Sequence, residues 1–137
     1  MNVLVDTCVW SSALRVKSTT ADPSVTELKE LIQEARAALI GPIRQELLSG
    51  IRDAAQFKSL RERLRPFLDL ETTREDFERA AELFNLCRSR GIQGANTDFL
   101  ICAVAERRDV PILTSDADFK LYAQHAPIKL HRPRGLH

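Results

Sequence analysis

Two aspartates stand close behind short apolar runs of the kind that form buried strands. Asp6 follows Val3-Leu4-Val5, and Asp116 comes two residues after the run Ile112-Leu113-Thr114. Runs this short and this apolar are typical of strands in a parallel sheet that is covered on both faces. Because ligands bind beyond the carboxyl ends of such strands, both carboxylates are candidates for chemistry.

Two further acidic residues are candidates for the same site. Asp98 stands at the start of an apolar helix predicted over 98–107, where the field of the helix N-terminus favours a negative charge. Glu46 lies in a short helix that begins at Pro42. Each acid also has an ordinary structural explanation. The aspartates could cap turns or begin helices, and the glutamate could simply be solvated, as most glutamates are.

Together, the four carboxylates favour a site for a divalent cation. Carboxylates that are brought together repel one another and raise each other's pKa, and a bound cation removes that cost. Hard oxygen ligands favour Mg²⁺, with Mn²⁺ as a substitute, and the absence of histidine from the set argues against zinc.

The elements that must position these acids alternate along the chain. Strands are predicted at 3–5, 38–41, 67–70, 110–114 and 128–130, and helices begin near Asp22-Pro23, Pro42, residue 53, Thr73, residue 96 and residue 116. This alternation predicts an α/β fold with a central parallel sheet and helices on both faces. We expect one domain over 1–137.

Two helices carry more detailed expectations. Thr73 and Asp76 form a capping-box pattern. The buried face of the helix that follows is expected to consist of Phe77, Ala80, Ala81, Phe84 and Cys87. Asn96 or Thr97 is expected to cap the apolar helix, and Trp10 and Phe99 are expected to lie in the core.

Composition limits the class of protein. The chain has 137 residues, of which 44% are hydrophobic and 28% charged, and no apolar run approaches the roughly 20 residues that span a bilayer. Asp6 interrupts the N-terminus too early for a secretory signal, so we expect a cytoplasmic protein without a membrane partner. Cys8, Cys87 and Cys102 are odd in number and lack CxxC spacing, which predicts reduced, small apolar residues.

The net charge of +1 does not decide whether nucleic acid is a partner, but basic residues cluster along the chain. The clusters lie at Arg61–Arg65, Arg88–Arg90, Arg107-Arg108 and 129–134. A run such as Arg61–Arg65 is either a solvated helix face or a contact to an RNA backbone.

Four segments resemble, in order and spacing, the motifs of PIN-domain toxins of the VapC family. They are VLVDTCVW (3–10), PIRQELLSG (42–50), NTDFLICA (96–103) and ILTSDADF (112–119). The resemblance spans the whole chain and implies a three-layer α/β/α sandwich around a parallel sheet. It also implies an acidic catalytic quartet, with hydroxyls that orient it and an additional acid. The quartet is Asp6, Glu46, Asp98 and Asp116, the hydroxyls belong to Thr7 and Thr114, and the additional acid is Asp118.

The resemblance further implies an activity and partners. The activity is Mg²⁺-dependent hydrolysis of RNA, with transfer or ribosomal RNA as target. Asp6, Asp98 and Asp116 would bind the metal, and Glu46 would bind it too or orient the attacking water. A cognate VapB-type antitoxin would inhibit the enzyme, in a homodimer or a toxin–antitoxin hetero-oligomer. Helices at 24–39 and 42–49 could line its binding groove, and Leu28→Glu or Leu47→Glu would test this.

Four alternatives stay open at this point. A phosphoaspartyl phosphatase also has an aspartate after its first strand, but it needs a second acid two residues on, where this chain has Cys8. A receiver-like binding domain would need a phosphorylated aspartate, for which Asp69 is poorly suited, and a lysine after Leu113, which is missing. A ribonuclease could use paired histidines from among His125, His131 and His137, although histidines near a terminus are usually solvated. An inactive PIN domain could bind RNA without cutting it.

Overall fold

A single parallel sheet organises the chain. The computed structural model describes residues 1–15 and 22–135. Within these ranges the sheet has four strands: β1 (Val3–Val5), β2 (Ala37–Leu39), β3 (Leu68–Asp69) and β4 (Ile112–Leu113). Their order is β3-β2-β1-β4, and every pair is parallel. The predicted parallel sheet is therefore confirmed.

The strand order reverses beside β1. The chain moves outward from β1 through β2 to β3 and then adds β4 on the opposite side of β1. Leu4 pairs with Ile112 and Val5 with Leu113, and the backbone N–H of Asp6 donates to the carbonyl of Leu113 at 2.9 Å. The residues that follow β1 and β4 therefore lie side by side at the carboxyl edge, where open parallel sheets bind ligands.

Seven helices in the described part of the chain flank the sheet in the expected α/β/α arrangement. They are α1 (Thr7–Leu14), α2 (Pro23–Gln33), α3 (Gly41–Leu48), α4 (Ala54–Leu64), α5 (Arg74–Ser89), α6 (Asn96–Arg108) and α7 (Asp118–Tyr122). Helix α1 packs against α2 and α3, and α5 packs along α6. None of these helices has both the length and the apolar surface that a membrane crossing requires.

Helix α6 is the most deeply buried helix of the sandwich. All of its residues from Phe99 to Ala105 are buried, and Phe99 is only 1% exposed, as is Trp10 of α1. The expectation that both aromatic residues belong to the core is confirmed. Because a helix that is apolar on every side cannot shift toward solvent without exposing that surface, α6 holds the residues of its first turn in a fixed place.

The buried face of α5 agrees with the expected one at Ala80, Phe84 and Cys87 and differs from it elsewhere. Phe77 is 54% exposed and Ala81 is exposed, whereas Asp76 and Leu83 are buried. The capping box at Thr73 is present, and Arg107 of α6 pairs with the Asp76 carboxylate at 2.7 Å. This ion pair allows a charged residue to be buried, so α5 is rotated away from the position that apolar periodicity alone predicts.

Two other local expectations were wrong. The N-cap of α6 is Ala95, so Asn96 and Thr97 lie inside the first turn, and the Asp98 carboxylate accepts the Ala95 N–H at 3.4 Å instead. The strand expected at 128–130 is reduced to one bridge between Ile112 and Leu130. Side-chain contacts to α2, described below, hold the segment that follows this bridge.

Candidate active site

Asp6 lies at the carboxyl end of β1 and is only 5% exposed. It is the N-cap of α1, so the capping explanation is correct but incomplete. Oδ1 accepts the Thr7 N–H at 2.8 Å, while Oδ2 accepts the Thr114 hydroxyl at 2.8 Å and the Cys8 thiol at 3.2 Å. Three donors from two strand ends therefore fix the orientation of this carboxylate.

Thr114 connects Asp6 to the acids that follow β4. While its hydroxyl donates to Asp6, it accepts the backbone N–H of Asp116 at 3.0 Å. Asp116 Oδ1 accepts the N–H of Asp118 at 2.9 Å, which closes the turn before α7. Asp116 is half-buried and Asp118 is exposed.

Asp98 occupies the first turn of α6 and is held by a residue of α7. The Tyr122 hydroxyl donates to Asp98 Oδ2 at 3.0 Å. The Tyr122 ring packs against Phe99 and Phe119, with ring centroids 4.8 and 5.1 Å apart. Gly94 makes this arrangement possible, because a Cβ there would overlap the Tyr122 hydroxyl.

The three aspartates act on one another electrostatically. Burial raises the pKa of Asp6, and the charge of Asp116 raises it further, against hydrogen bonds from Thr114, Cys8 and Thr7. Burial also raises the pKa of Asp98, the Tyr122 hydrogen bond opposes it, and the charges of Asp6 and Asp116 add to the increase. Asp6 and Asp98 therefore each bear a cost of desolvation and of repulsion by neighbouring carboxylates, and a bound cation would relieve both.

Glu46 approaches this group through Thr7. The Thr7 hydroxyl donates to Glu46 Oε2 at 3.0 Å, while the Thr7 N–H donates to Asp6. Helix α3, which carries Glu46, packs directly against α1. Glu46 is exposed, so it stands on the solvent side of the group.

The chemistry of the donors fits a hard divalent cation. Among residues 1–15 and 22–135, no three Asp, Glu, His or Cys side chains lie close enough together to hold an ion as they stand. The donors of the group are nevertheless carboxylate oxygens, which Mg²⁺ and Mn²⁺ prefer, and two of the carboxylates have raised pKa values. Closer approach of the three aspartates would require the opposite charge that such an ion supplies.

Sequence reasoning missed two residues of the site, Cys8 and Tyr122. Cys8 was expected to be a small apolar residue, but its thiol contacts Asp6 Oδ2 and lies 3.2 Å from the Ser115 hydroxyl. Burial raises the pKa of this thiol, so it stays protonated and is a hydrogen-bond donor rather than a nucleophile. The position of Cys8, two residues after Asp6, could have indicated its contact with that carboxylate. Nothing in the sequence around Tyr122 indicated its contact with Asp98.

A family model and curated relatives match most of the chain. A family model described as "PIN domain" matches residues 3–124. The chain is 34% identical over 129 residues to VapC ribonuclease Mb1587 of Mycobacterium bovis, covering 89% of this chain and 92% of that protein. It matches Ribonuclease VapC11 of Mycobacterium tuberculosis to the same extent.

Solved structures show the same fold. FitAcB from Neisseria gonorrhoeae aligns with a TM-score of 0.71 at 23% identity, covering 98% of this chain and 99% of that chain. VapBC2 from Rickettsia felis, solved bound to a DNA fragment from their promoter, aligns with a TM-score of 0.71 at 20% identity, covering 96% and 98%.

Proposed function

The chain belongs to the PIN domain family and is a relative of the VapC ribonucleases, and on that premise we propose that it is a metal-dependent endoribonuclease. The observation that supports this proposal best is the Thr114 hydroxyl, which links the buried Asp6 carboxylate to the backbone of Asp116 where the strand order reverses. The reaction is hydrolysis of an RNA phosphodiester. Water attacks phosphorus and loses a proton, the bond from phosphorus to the leaving oxygen breaks, and that oxygen takes up a proton.

We assign the metal to the three aspartates. Asp6, Asp98 and Asp116 would hold Mg²⁺, with Mn²⁺ as a substitute. When bound, such an ion supplies charge neutralisation of the phosphate and a lowered pKa for water. Thr7 and Thr114 orient Asp6 through the hydrogen bonds described above, and Asp118 stays outside the ligand set as a partner of Asp116.

The protein side chains divide the remaining work. Glu46, which is exposed and accepts the Thr7 hydroxyl, would bind the metal or orient the attacking water. Cys8 helps to hold Asp6, because its thiol donates to Asp6 Oδ2. These assignments follow from the hydrogen-bond donors that Asp6 and Glu46 have in the structure.

The biological role we propose is that of a toxin in the cytoplasm, acting on transfer or ribosomal RNA. A cognate VapB-type antitoxin would inhibit it, within a homodimer or a toxin–antitoxin hetero-oligomer. The relatives named VapC and the VapBC2 neighbour support this role.

The suggested antitoxin groove needs one correction. Helix α2 ends at Gln33, before β2, and Leu28 is fully buried while Leu47 is 8% exposed. A glutamate at either leucine would disrupt the core rather than test a surface. Ile32 is 37% exposed and borders a cavity of about 190 Å³ between α1, α2 and α4, so Ile32→Glu is the better probe of antitoxin binding.

The activity is tested by incubating purified protein with total cellular RNA and Mg²⁺ or Mn²⁺. Discrete fragments are expected, and they should disappear with EDTA or with Asp6→Asn. Asp109→Asn is the matched control, because Asp109 is an exposed aspartate at the far end of α6 and should leave cleavage unchanged. Fragments that persist with Asp6→Asn would contradict the proposal, and RNA binding without any cleavage would favour an inactive PIN domain.

A further inference from the structure

A cavity of about 590 Å³ opens beside the carboxylate group. Its size falls within the range of about 300–1,000 Å³ that is usual for ligand sites. Thr114, Ser115 and Asp116 form one wall, and Lys120 and the C-terminal segment form others. Because Thr114 donates directly to Asp6, an occupant of this cavity would lie one side chain away from the proposed reaction centre.

The C-terminal wall of this cavity is fixed in place by a buried charge. Glu27 of α2 is 2% exposed and plays no part in the proposed reaction. Its carboxylate lies 2.7 Å from His131 Nε2 and accepts the backbone N–H of Arg134 and the Arg134 guanidinium, each at 3.0 Å. The expectation that His131 is solvated was therefore wrong, because its side chain is only 16% exposed. Arg132 is held between these two anchored residues.

The chemistry of the lining fits a phosphate backbone with its sugars and bases. Lys120 and Arg132 are exposed and border the cavity, and Asp116 is the one acidic residue among the described residues that line it. Pro23, Leu130 and Pro133 add apolar surface. A cationic wall beside apolar carbon suits a single RNA strand, and the fixed C-terminal wall lowers the cost of ordering the site on binding.

We propose that this cavity binds the RNA strand next to the bond that is cut, with Lys120 and Arg132 contacting its phosphates. The inference rests on the proposed function, because an enzyme that cuts within a chain must hold that chain beyond the cut. Asp116 belongs both to this cavity and to the proposed metal ligands, so a strand cut there would extend along this wall, which favours RNA over a protein segment as the occupant.

The test measures binding without cleavage. Fluorescence anisotropy of a labelled single-stranded RNA of mixed sequence is recorded in EDTA over a series of KCl concentrations. Each phosphate contact contributes about 0.7 to the slope of log affinity against log salt for a single strand. Lys120→Ala and Arg132→Ala should each reduce that slope by about 0.7. Lys129→Ala, which removes an exposed lysine paired with Asp109, should leave it unchanged.

The outcomes separate this inference from the proposed nuclease activity. A reduced slope without any Mg²⁺-dependent cleavage would support the cavity as an RNA site and reject the nuclease. A Lys120→Ala slope equal to that of Lys129→Ala, or no RNA binding by the unmodified protein, would overturn the inference. A Lys120→Ala variant that binds RNA normally but loses a cognate antitoxin would assign the cavity to a protein partner and also overturn it.

Discussion

Tyr122 donates its hydroxyl to Asp98 across 24 residues of sequence, at 3.0 Å. Burial and the negative charge of Asp98 raise the pKa of Tyr122, so the hydroxyl stays protonated and remains a donor. The hydroxyl bonds to Asp98 Oδ2, so the other oxygen of this carboxylate, Oδ1, accepts no hydrogen bond from Tyr122. Tyr122 is therefore a positioning residue for a carboxylate that we assign to the metal.

The removal of this single hydroxyl should weaken metal binding without unfolding the protein. Tyr122→Phe keeps the ring contacts with Phe99 and Phe119 but removes the shorter of the two hydrogen bonds to Asp98 Oδ2, so the carboxylate is less firmly oriented. We expect Mn²⁺ affinity to fall about 10- to 100-fold, as is usual when a partner of a metal ligand is lost. Mn²⁺ titration followed by electron paramagnetic resonance measures this, with circular dichroism as the check on folding. Unchanged affinity would exclude the positioning role.

Gly94 should be required for the same contact. A Cβ at this position would overlap the Tyr122 hydroxyl and would lie 3.0 Å from Cε2 of Phe99. Gly94→Ala should therefore displace Tyr122, cost about 1–3 kcal/mol of stability and weaken Mn²⁺ binding. Gly41→Ala is the control, because a Cβ there meets nothing within 4 Å. If both variants behave alike in thermal unfolding and Mn²⁺ titration, the steric argument is wrong.

Glu27 should make stability depend on pH in the acid range. Burial alone would raise the pKa of Glu27, but hydrogen bonds from His131 and Arg134 outweigh it and hold that pKa below its ordinary value of 4.5. A carboxyl with a lowered pKa stabilises the fold above the pKa of the unfolded chain, and this stability is lost as pH falls through the lower, folded-state pKa.

Glu27→Gln should therefore be destabilising at neutral pH by about 1–3 kcal/mol. The difference from the unmodified protein should shrink as pH falls below 4.5. Thermal unfolding over a pH series measures both effects, and Glu30→Gln is the control, because the Glu30 side chain is 49% exposed and contacts the same Arg134. A difference that stays constant down to strongly acidic pH would show that the charge of Glu27 is not the cause.

The Asp6 carboxylate should lower the free energy of unfolding when no metal is bound. Its carboxylate is buried and is repelled by Asp116, whereas asparagine would keep the cap on α1 without the charge. In EDTA, Asp6→Asn should raise the free energy of unfolding by on the order of 1 kcal/mol, or roughly 2–8 °C in Tm for a domain of this size. Differential scanning calorimetry measures this. A lower Tm would mean that the hydrogen bonds to Asp6 outweigh the repulsion.

The acids at the strand ends could be predicted because their positions depend on local pattern. Asp6 and Asp116 each follow an apolar strand, and a parallel sheet brings its carboxyl ends to one edge. Asp98 could be predicted as the first acid of a helix that is apolar on all sides. In each case a short segment of sequence determines both the element and the side chain at its end.

The partners of these acids could not be predicted, because they depend on how distant segments pack. Cys8 meets Ser115 across 107 residues, and no periodicity relates them. The rotation of α5 depends on the ion pair from Arg107 to Asp76, and the C-terminal segment on its contacts with Glu27. A buried charge whose partner lies far away in sequence looks like a surface residue in a hydrophobicity pattern.

The central claim, that the carboxylate group is a divalent-metal site, is tested most directly by measuring Mn²⁺ affinity for four proteins. These are the unmodified chain, Asp6→Asn, Asp98→Asn and the control Asp109→Asn. We expect the unmodified chain and Asp109→Asn to bind Mn²⁺ equally well, and the other two variants to bind it at least about tenfold more weakly. Equal Mn²⁺ affinity in all four proteins, or no binding by the unmodified chain, would contradict the claim.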